Sequence, residues 1–213
     1  MTSNTRKANL LNAIAPVNRG LEMSENQRKA IFSAVAYLEE LNPTPAPNIT
    51  PELLDGDWLL LFTTSQELLG IDRFPLYKLG NIYQCLRVAE AKIFNVAEIK
   101  GLPLLGGLVS VCASFTIVSE KRVKVNFERL VAGSQTLLGY RDVHSFIDTL
   151  RSPVSGSTNP SNKPQNKSQK KLLAIDFQIK REDQKGWLET TYLDQDLRIG
   201  RGNEGNLFVL KRV

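Results

Sequence analysis

The sequence predicts a mainly β protein, folded as a closed antiparallel barrel or a sandwich. About nine segments between residues 58 and 211 alternate in polarity or are dense in strand-forming residues. No helical pattern lies between them, which argues against a parallel sheet. The last two segments, 197–201 and 206–211, flank a turn that contains two glycines and an asparagine. The chain is therefore expected to end in a β-hairpin.

The first fifty residues are predicted to be helical and to precede the barrel. Ser24 and Gln27 have the spacing of a capping box, and apolar residues then repeat at helical spacing. A shorter helix is expected before this one. The proline-rich stretch 42–47 cannot continue a helix and is predicted to be a stiff, extended linker. The predicted domains are thus a helical segment with its linker, residues 1–50, and a barrel, residues 51–213.

The strands follow in order along the rest of the chain. They are predicted over residues 58–64, 82–88, 92–100, 109–119, 123–128, 173–180, 186–193, 197–201 and 206–211. In the clearest of them, Val123, Val125 and Phe127 alternate with polar residues and give the strand one dry and one wet face. Residues 152–171 are rich in Ser, Pro, Asn and Lys and predict a solvated, disordered loop.

Composition and charge exclude several classes of protein. The 213 residues are 42% hydrophobic, enough for one substantial core. The net charge of +5 is mild and interspersed, so no nucleic-acid partner is predicted, although a layer of anionic lipid headgroups is weakly favoured. No secretory signal and no transit peptide are expected at the N-terminus, and the sequence contains no stretch of about 18 apolar residues. A soluble or peripheral protein is expected.

Residues that commonly carry chemistry are few. Cys85 and Cys112 are the only cysteines and do not have the spacing of a zinc site or of a disulfide framework. His144 is the only histidine, and no metal-ligand spacing or nucleophile motif surrounds it. No catalytic residue, metal site or cofactor is therefore predicted, and the protein is not expected to be an enzyme.

The closing hairpin contains two patterns that need interpretation. A Gly-x-Gly-x-x-Gly pattern spans residues 200–205. It binds a pyrophosphate only where the glycines open a helix, and strand-like residues follow here, so nucleotide binding is not predicted. Asp194 and Asp196 lie close to Arg198 and Arg201. An acid/base pair is one interpretation, but charge pairs that fix the hairpin are favoured.

The first predicted strand begins with Gly56-Asp57-Trp58. This position places a large indole at the floor of a barrel, where an arginine from the closing strand can stack on its face. The tripeptide by itself is a weak signal. Its combination with a terminal strand that carries Arg198 and Arg201 is more specific, and it is typical of lipocalin-like barrels.

Two predicted connections are unusually apolar for loops. Residues 68–77 and 101–108 combine Leu, Ile, Phe and Tyr with Gly and Pro. One interpretation is that they fold over the ends of the barrel as plugs. The other is that they form a portal for a lipid, or a patch that enters a membrane interface.

Four segments, residues 54–65, 79–84, 125–129 and 191–210, together resemble the plastid lipid-associated protein (PAP)/fibrillin family. The last of these segments is the specific one, and the resemblance covers nearly the whole chain after about residue 20. It implies a lipocalin-like antiparallel β-barrel with the N-terminal helices packed at one end.

The resemblance also implies a cellular role. The family occurs in plastids and cyanobacteria, associates with thylakoids or with lipid globules (plastoglobules), and is linked to carotenoid, prenylquinone and lipid handling and to photoprotection. Plant members carry long transit peptides, so the short N-terminus indicates a cyanobacterial-type member. The expected location is the cytoplasm or the cytoplasmic face of thylakoid membranes. A pI near 9.2 suits membrane contact better than coating of globules.

Two functional hypotheses follow. In the favoured one, the barrel encloses an isoprenoid, carotenoid, prenylquinone or fatty-acyl lipid. The side chains expected to surround it are Trp58, Leu60, Phe62, Phe115, Ile117, Phe127 and Phe177. In the alternative, the protein's own side chains fill the barrel. The protein is then an interaction scaffold that binds a membrane or an enzyme of prenylquinone metabolism. A continuous interior void would favour the first hypothesis, and a filled interior the second.

Overall fold

A computed structural model describes residues 2–65, 78–101, 106–151, 174–179 and 185–213, and every structural statement below refers to these residues. The helices are α1 (Ser3–Ile14), α2 (Glu25–Glu39), α3 (Pro51–Leu54) and α4 (Val143–Arg151). The strands are β1 (Gly56–Thr63), β2 (Lys78–Arg87), β3 (Lys92–Lys100), β4 (Gly107–Ile117), β5 (Arg122–Ser134), β6 (Ala174–Gln178), β7 (Lys185–Leu193), β8 (Leu197–Gly202) and β9 (Leu207–Arg212).

The strands form a closed antiparallel barrel, as predicted. Eight of them make the ring, in the order β1-β2-β3-β4-β5-β7-β8-β9, and β9 pairs with β1 to close it. The ninth, β6, pairs with β5 beside the ring. Strand β1 starts at the end of the barrel where Trp58 is buried, here called the closed end. The opposite end, where β1 stops and β2 begins, is called the open end.

The N-terminal helices cover the side of the barrel. The predicted capping box at Ser24 and Gln27 is confirmed, with both of its hydrogen bonds present. The apolar faces of α1 and α2 pack on the outer face of β1, β7, β8 and β9. The helices therefore flank the wall of the barrel, whereas the resemblance implied that they pack at one end.

The segment between α2 and α3 is tied to the closed end of the barrel. The Asn42 side chain accepts a hydrogen bond from the Leu193 amide at 3.0 Å. Further along, the backbone N–H of Asn48 donates to the Glu120 carbonyl at 2.9 Å, and its side-chain amide donates to the Ser119 carbonyl at 2.7 Å. These bonds hold the expected linker against the barrel. Its assignment to a separate domain stays a prediction.

Gly20 marks a close approach between the helical segment and β1. Its φ of +106° is unfavourable for any other residue, and a Cβ added there would lie 2.3 Å from the Thr63 carbonyl oxygen. Such a Cβ forces the backbone to move.

We expect Gly20→Ala to lower the free energy of unfolding by about 3 kcal/mol, because it combines backbone strain with this clash. Urea unfolding followed by circular dichroism measures the loss. Gly139→Ala is the matched control, since Gly139 also has a positive φ, +67°, but a Cβ there meets nothing within 4 Å. Equal losses in the two variants would contradict a role for the Thr63 contact.

The prediction that no helix lies between the strands is wrong, because α4 follows β5. The Asp142 side chain accepts a hydrogen bond from the Ser145 amide at 2.9 Å and so caps the helix. The apolar side of α4 packs on the outer face of β2, β3 and β4. Its buried residues are Val143, Phe146 and Ile147. Their spacing is helical, and it was the signal that could have identified the helix.

Several predictions fall on residues outside the described ranges. They are the disordered loop 152–171, the apolar segment 68–77 and residues 102–105 of the second apolar segment. In the described part of the chain, no helix combines the length and the apolar character needed to cross a membrane.

Candidate functional site

Trp58 forms the floor of the barrel interior. Its side chain is fully buried, and the indole N–H donates to the Leu54 carbonyl of α3 at 3.1 Å. The guanidinium carbon of Arg198 lies 5.2 Å from the centre of the Trp58 ring, so the predicted arginine–tryptophan stack is confirmed. A second arginine, Arg212 of β9, lies closer, at 4.3 Å. The sequence analysis did not identify it.

Arg212 joins the floor to two neighbouring turns. It donates to the carbonyls of Leu53 and Asp55, the latter at 2.7 Å, and to the Gln195 carbonyl at 2.8 Å. The guanidinium thus satisfies carbonyl groups of α3 and of the β7–β8 turn while it covers one face of the indole.

Arg198 is a cation inside the barrel, almost completely buried. It donates to the side-chain oxygen of Gln84, and Gln84 donates in turn to the side-chain oxygen of Asn95 at 3.0 Å. Burial, together with the positive charge of Arg212, lowers the pKa of Arg198 to about 9. Among the described residues, its Nε finds no hydrogen-bond partner. A short polar chain from three strands therefore crosses an otherwise apolar core.

The closed half of the barrel is filled by its own side chains. The cavity beside Arg198 has a volume of about 10 Å³. Leu54, Ile93, Phe115 and Thr190 are among the residues that line it. A space of this size holds about one water molecule. This cavity is therefore too small for the enclosed lipid that the favoured hypothesis expects.

Four of the predicted ligand-binding residues lie in or beside the barrel core. Trp58, Leu60 and Phe115 are buried members of it, and Phe127 packs against it while partly exposed. Their inward orientation agrees with the sequence analysis, whereas contact with a ligand stays a prediction.

Phe62 does not face the interior, so its predicted orientation is wrong. Leu60 pairs with Leu210, but Phe62 pairs with Val209, so the bulge at Leu61 inserts one extra residue into β1. An extra residue reverses the faces of all the residues that follow it. Phe62 is therefore buried on the outer side, under the N-terminal helices.

Ile117 and Phe177 are also not enclosed. Ile117 lies at the last position of β4, beyond the core of the closed end, and its side chain is 51% exposed. Phe177 lies on β6, outside the ring, and is 48% exposed. The alternation of polarity shows which face a residue occupies, but it does not show whether another element covers that face.

Strand β5 changes partners halfway along its length. Its first part, from Arg122 to Asn126, pairs with β7, and its second part, from Arg129 to Gly133, pairs with β6. Strand β8 ends at Gly202, so the wall of the barrel is low on that side. On the other side, β3, β4, β5 and β6 continue beyond it and form a high wall at the open end.

The inner face of this high wall is apolar. Val111 pairs with Leu130, which pairs with Phe177, and one step further Val109, Ala132 and Ile175 align in the same way. These rows face inward because Asn95, the inward partner of Val111, belongs to the interior polar chain. The wall consists of Ala97, Ile99, Val109, Val111, Leu130, Ala132, Ile175 and Phe177. All of its side chains are half-exposed or exposed.

The predicted closing hairpin is confirmed, since β8 pairs with β9 through a single short turn. Two glycines of the fingerprint have local structural reasons. A Cβ on Gly202 would lie only 3.1 Å from the Phe208 ring, and Gly205 has a φ of +72°. The glycine pattern therefore reflects close packing and a turn within a hairpin.

The predicted charge pairs within this hairpin are wrong, because its acidic residues bind a helix. Lys7 of α1 lies 2.7 Å from Asp194 and 3.1 Å from Asp196. Burial alone would raise the pKa of Asp194, but the hydrogen bonds from Lys7 and Tyr192 outweigh it and hold that pKa below its usual value. These pairs attach α1 to the β7–β8 turn.

The two arginines of β8 also have other partners than those predicted. Successive residues of a strand point to opposite sides, and residues 198 and 201 lie on different faces. Arg198 points into the barrel, while Arg201 points outward and pairs with Glu39 of α2 at 2.9 Å.

His144 belongs to a polar cluster on the outside of the barrel. Its Nδ1 lies 3.0 Å from Oδ2 of Asp57, whose Oδ1 accepts a hydrogen bond from Arg87 at 2.8 Å. Burial by itself would raise the pKa of Asp57, but the bonds from Arg87 and His144 hold it below its usual value. Across the described ranges, no group of three or more His, Cys, Asp or Glu residues could hold a metal ion.

Comparisons with known proteins agree with the resemblance noted in the sequence. The family model PAP_fibrillin matches residues 4–211. A probable plastid-lipid-associated protein 2, chloroplastic, of Arabidopsis thaliana is 31% identical over 215 residues, which cover 96% of this chain and 69% of the relative. A chromoplast-specific carotenoid-associated protein of Cucumis sativus is 32% identical over 214 residues, with 96% of this chain and 66% of the relative covered.

A third relative is plastoglobulin-1, chloroplastic, of Pisum sativum, with 33% identity over 217 residues that cover 97% of this chain and 60% of the relative. The chain thus spans about two thirds of the length of these relatives. No solved structure matches it. Since the family model covers almost the whole sequence and the relatives exceed 30% identity, the chain belongs to the PAP_fibrillin family.

Proposed function

We propose that the protein binds hydrophobic small molecules without catalysis, and that it does so at the surface of thylakoid membranes or lipid globules. Isoprenoids, carotenoids, prenylquinones and fatty-acyl lipids are the proposed ligands. A peripheral location on the cytoplasmic face of thylakoids and a part in photoprotection belong to the same proposal. It is supported by the names of the relatives, which refer to plastid lipids, carotenoids and plastoglobules.

The observation that carries the proposal is the apolar inner wall at the open end. Its cross-strand rows, from Val111 to Phe177 and from Val109 to Ile175, consist of apolar side chains that are partly or largely exposed. Covering apolar surface stabilises a complex by about 25 cal/mol per Å² removed from water. An isoprenoid or acyl chain that covers roughly 200 Å² of the wall therefore gains about 5 kcal/mol of binding free energy before the cost of association is subtracted. Such contacts select for hydrophobicity more than for a particular headgroup.

The filled closed half limits how deeply a ligand enters. The space beside Arg198 holds only about one water molecule. The ligand therefore lies along the inner wall at the open end and does not reach the Trp58 floor. A ligand held in this way keeps one side uncovered. It can therefore remain in contact with the lipid layer from which it came.

We expect Phe177→Asp to weaken the binding of decyl-plastoquinone, a neutral alkylquinone, at least tenfold, because the new carboxylate would be desolvated by the bound chain. Quenching of tryptophan fluorescence on titration measures the affinity. Ile117→Asp is the matched control, since it makes the same change of charge at an equally exposed apolar residue of the closed end. We expect the control to bind like the wild type.

Phe177→Leu keeps an apolar side chain and should retain most of the affinity. Wild-type affinity in Phe177→Asp, or an equal loss in both aspartate variants, would contradict binding on the inner wall.

The scaffold is the second candidate function, and the filled closed half specifically favours it. Here the protein binds a membrane or an enzyme of prenylquinone metabolism and takes up no small ligand. On this alternative, the wild-type protein does not bind decyl-plastoquinone at all, which separates the two candidates in the same titration. Deletion of the N-terminal helices is unsuitable as a test, because they cover buried residues of the barrel wall, among them Phe62 and Val209.

A further inference from the structure

The rim of the open end carries two lysines directly opposite one another. Lys78 begins β2, Lys100 ends β3, and the two residues are Cα partners across the strand pair. Directly opposite residues have Cβ atoms about 4.5–5.5 Å apart. Both lysines are exposed, and within the described ranges neither ammonium group has an ion-pair or hydrogen-bond partner.

This arrangement is unfavourable for the isolated protein, because like charges in directly opposite positions repel one another. A nearby carboxylate offsets this repulsion only in part, because it forms no ion pair with either lysine. Glu98 lies on the same face of β3, two residues before Lys100, but it accepts a hydrogen bond from the Tyr140 hydroxyl at 2.6 Å and another from the Asn81 amide at 3.3 Å. Among the described residues, the two ammonium groups of the rim therefore lack a direct counterion, which a bound anion would supply.

The lysines are next to the apolar wall in both strands. Their immediate neighbours, Leu79 and Ile99, are themselves Cα partners and point to the inner side. Leu79 is a buried member of the barrel core, and Ile99, which is partly exposed, belongs to the inner wall. One edge of the barrel thus presents ammonium groups on its outer side and hydrocarbon on its inner side. Lysine side chains in such positions extend toward lipid headgroups while apolar neighbours contact acyl chains.

We propose that the open end of the barrel docks on a lipid layer with anionic headgroups, with Lys78 and Lys100 at the headgroups and the inner wall toward the acyl chains. This inference rests on the proposed function for its apolar contact and adds a preference for negative charge. The partner is the anionic lipid layer, because a soluble anion would make no apolar contact with the hydrocarbon wall beside the lysines.

The expected size of the effect follows from the surface potential of such a layer. Each lysine close to an anionic surface strengthens binding by roughly fivefold, so two lysines contribute about thirtyfold. The contribution decreases with ionic strength, since salt screens exposed charges.

The test uses the full chain and two kinds of vesicle, one of phosphatidylcholine and one of phosphatidylcholine mixed with phosphatidylglycerol. The variant is Lys78→Gln/Lys100→Gln. The matched control is Lys124→Gln/Lys211→Gln, which removes the same charge from two exposed lysines nearer the closed end. Co-flotation at low salt measures binding, and urea unfolding confirms that both variants are folded.

We expect the wild type to prefer the phosphatidylglycerol vesicles by at least tenfold. The rim variant should lose this preference, whereas the control should keep most of it. The rim variant should also be at least as stable as the wild type, because a repulsive pair has been removed.

Three results would overturn the inference: an equal loss of preference in both double variants, no preference in the wild type, or full competition by soluble glycerol phosphate. The first would assign the effect to net charge and the last to a soluble-anion site. The proposed function is judged separately, because binding of the neutral decyl-plastoquinone does not depend on the lysines. If the wild type bound neither the vesicles nor the quinone, the proposed function would fail as well.

Discussion

Replacing Trp58 by alanine is expected to lower the free energy of unfolding by about 4 kcal/mol or more, a large part of the stability of a domain of this size. The indole is fully buried, and the guanidinium carbons of Arg212 and Arg198 lie 4.3 Å and 5.2 Å from its centre. Removal of the indole leaves a cavity in the core. The buried charge of Arg198 then loses its aromatic contact, and the Leu54 carbonyl loses its hydrogen-bond donor. Urea unfolding measures the loss.

Trp187 provides the control for this experiment. Arg122 covers its ring at 4.4 Å, but it lies half-exposed on the outer face of β7. Trp187→Ala should therefore cost only about 1 kcal/mol. Similar losses in the two variants would contradict a central role for the floor. A folded Trp58→Ala variant with wild-type stability would show that the arginines do not depend on the indole.

The second large effect is expected at Asp57. This carboxylate and Arg87 are each 8% exposed and form an ion pair at 2.8 Å. Asp57→Ala leaves the Arg87 guanidinium buried without its partner, and we expect a loss of about 3–5 kcal/mol in the free energy of unfolding. The same substitution at Asp176 is the control. Its pair with Arg129 is much more exposed, so the expected loss is no more than about 1 kcal/mol.

The same residue makes stability depend on pH in a defined direction. Because the pKa of Asp57 is lower in the folded protein than in the unfolded chain, its contribution is complete above the unfolded value of about 4. The contribution decreases as the pH falls through the folded pKa. The difference in unfolding free energy between the wild type and Asp57→Asn should therefore shrink below about pH 4. A difference that stays constant down to pH 2 would contradict this linkage.

The sequence was sufficient for the strands because the alternation of polarity is a local property. Each of the nine observed strands overlaps a predicted one, and the final hairpin is found where its glycine-containing turn indicated. Helix α4 was missed although its signal was also local. Val143, Phe146 and Ile147 are spaced as in a helix and follow Asp142, a good capping residue.

The errors in the site have a common cause, since they depend on partners distant in the chain. The face of Phe62 is set by a bulge that becomes visible only in the pairing of β1 with β9. The partners of Asp194 and Arg201 are Lys7 and Glu39, which lie on helices packed against the barrel from outside. Charge and polarity can be read along a sequence, but the element that comes to lie opposite cannot.

The high wall was beyond prediction for the same reason. The two segments that became β6 and β7 were both predicted as strands, and nothing in either segment shows that they pair consecutively with one long neighbour, β5. The exposed inner face at the open end results from that exchange of partners. The stack of an arginine on Trp58 could be predicted from the sequence. A Gly-x-Trp segment in the first strand, combined with arginines in the last segments, is typical of the floor of lipocalin-like barrels.

Closure of the ring between its first and last strands sets the order of events during synthesis. Strand β1 cannot meet β9 until Arg212 has left the ribosome. At usual rates of translation, the intervening chain takes roughly ten seconds or more to make. Throughout that time one edge of β1 has no partner, and unpaired edges are prone to aggregation. Helices α1 and α2 emerge earlier than β1, so the nascent chain already contains the cover for the outer face of its first strand.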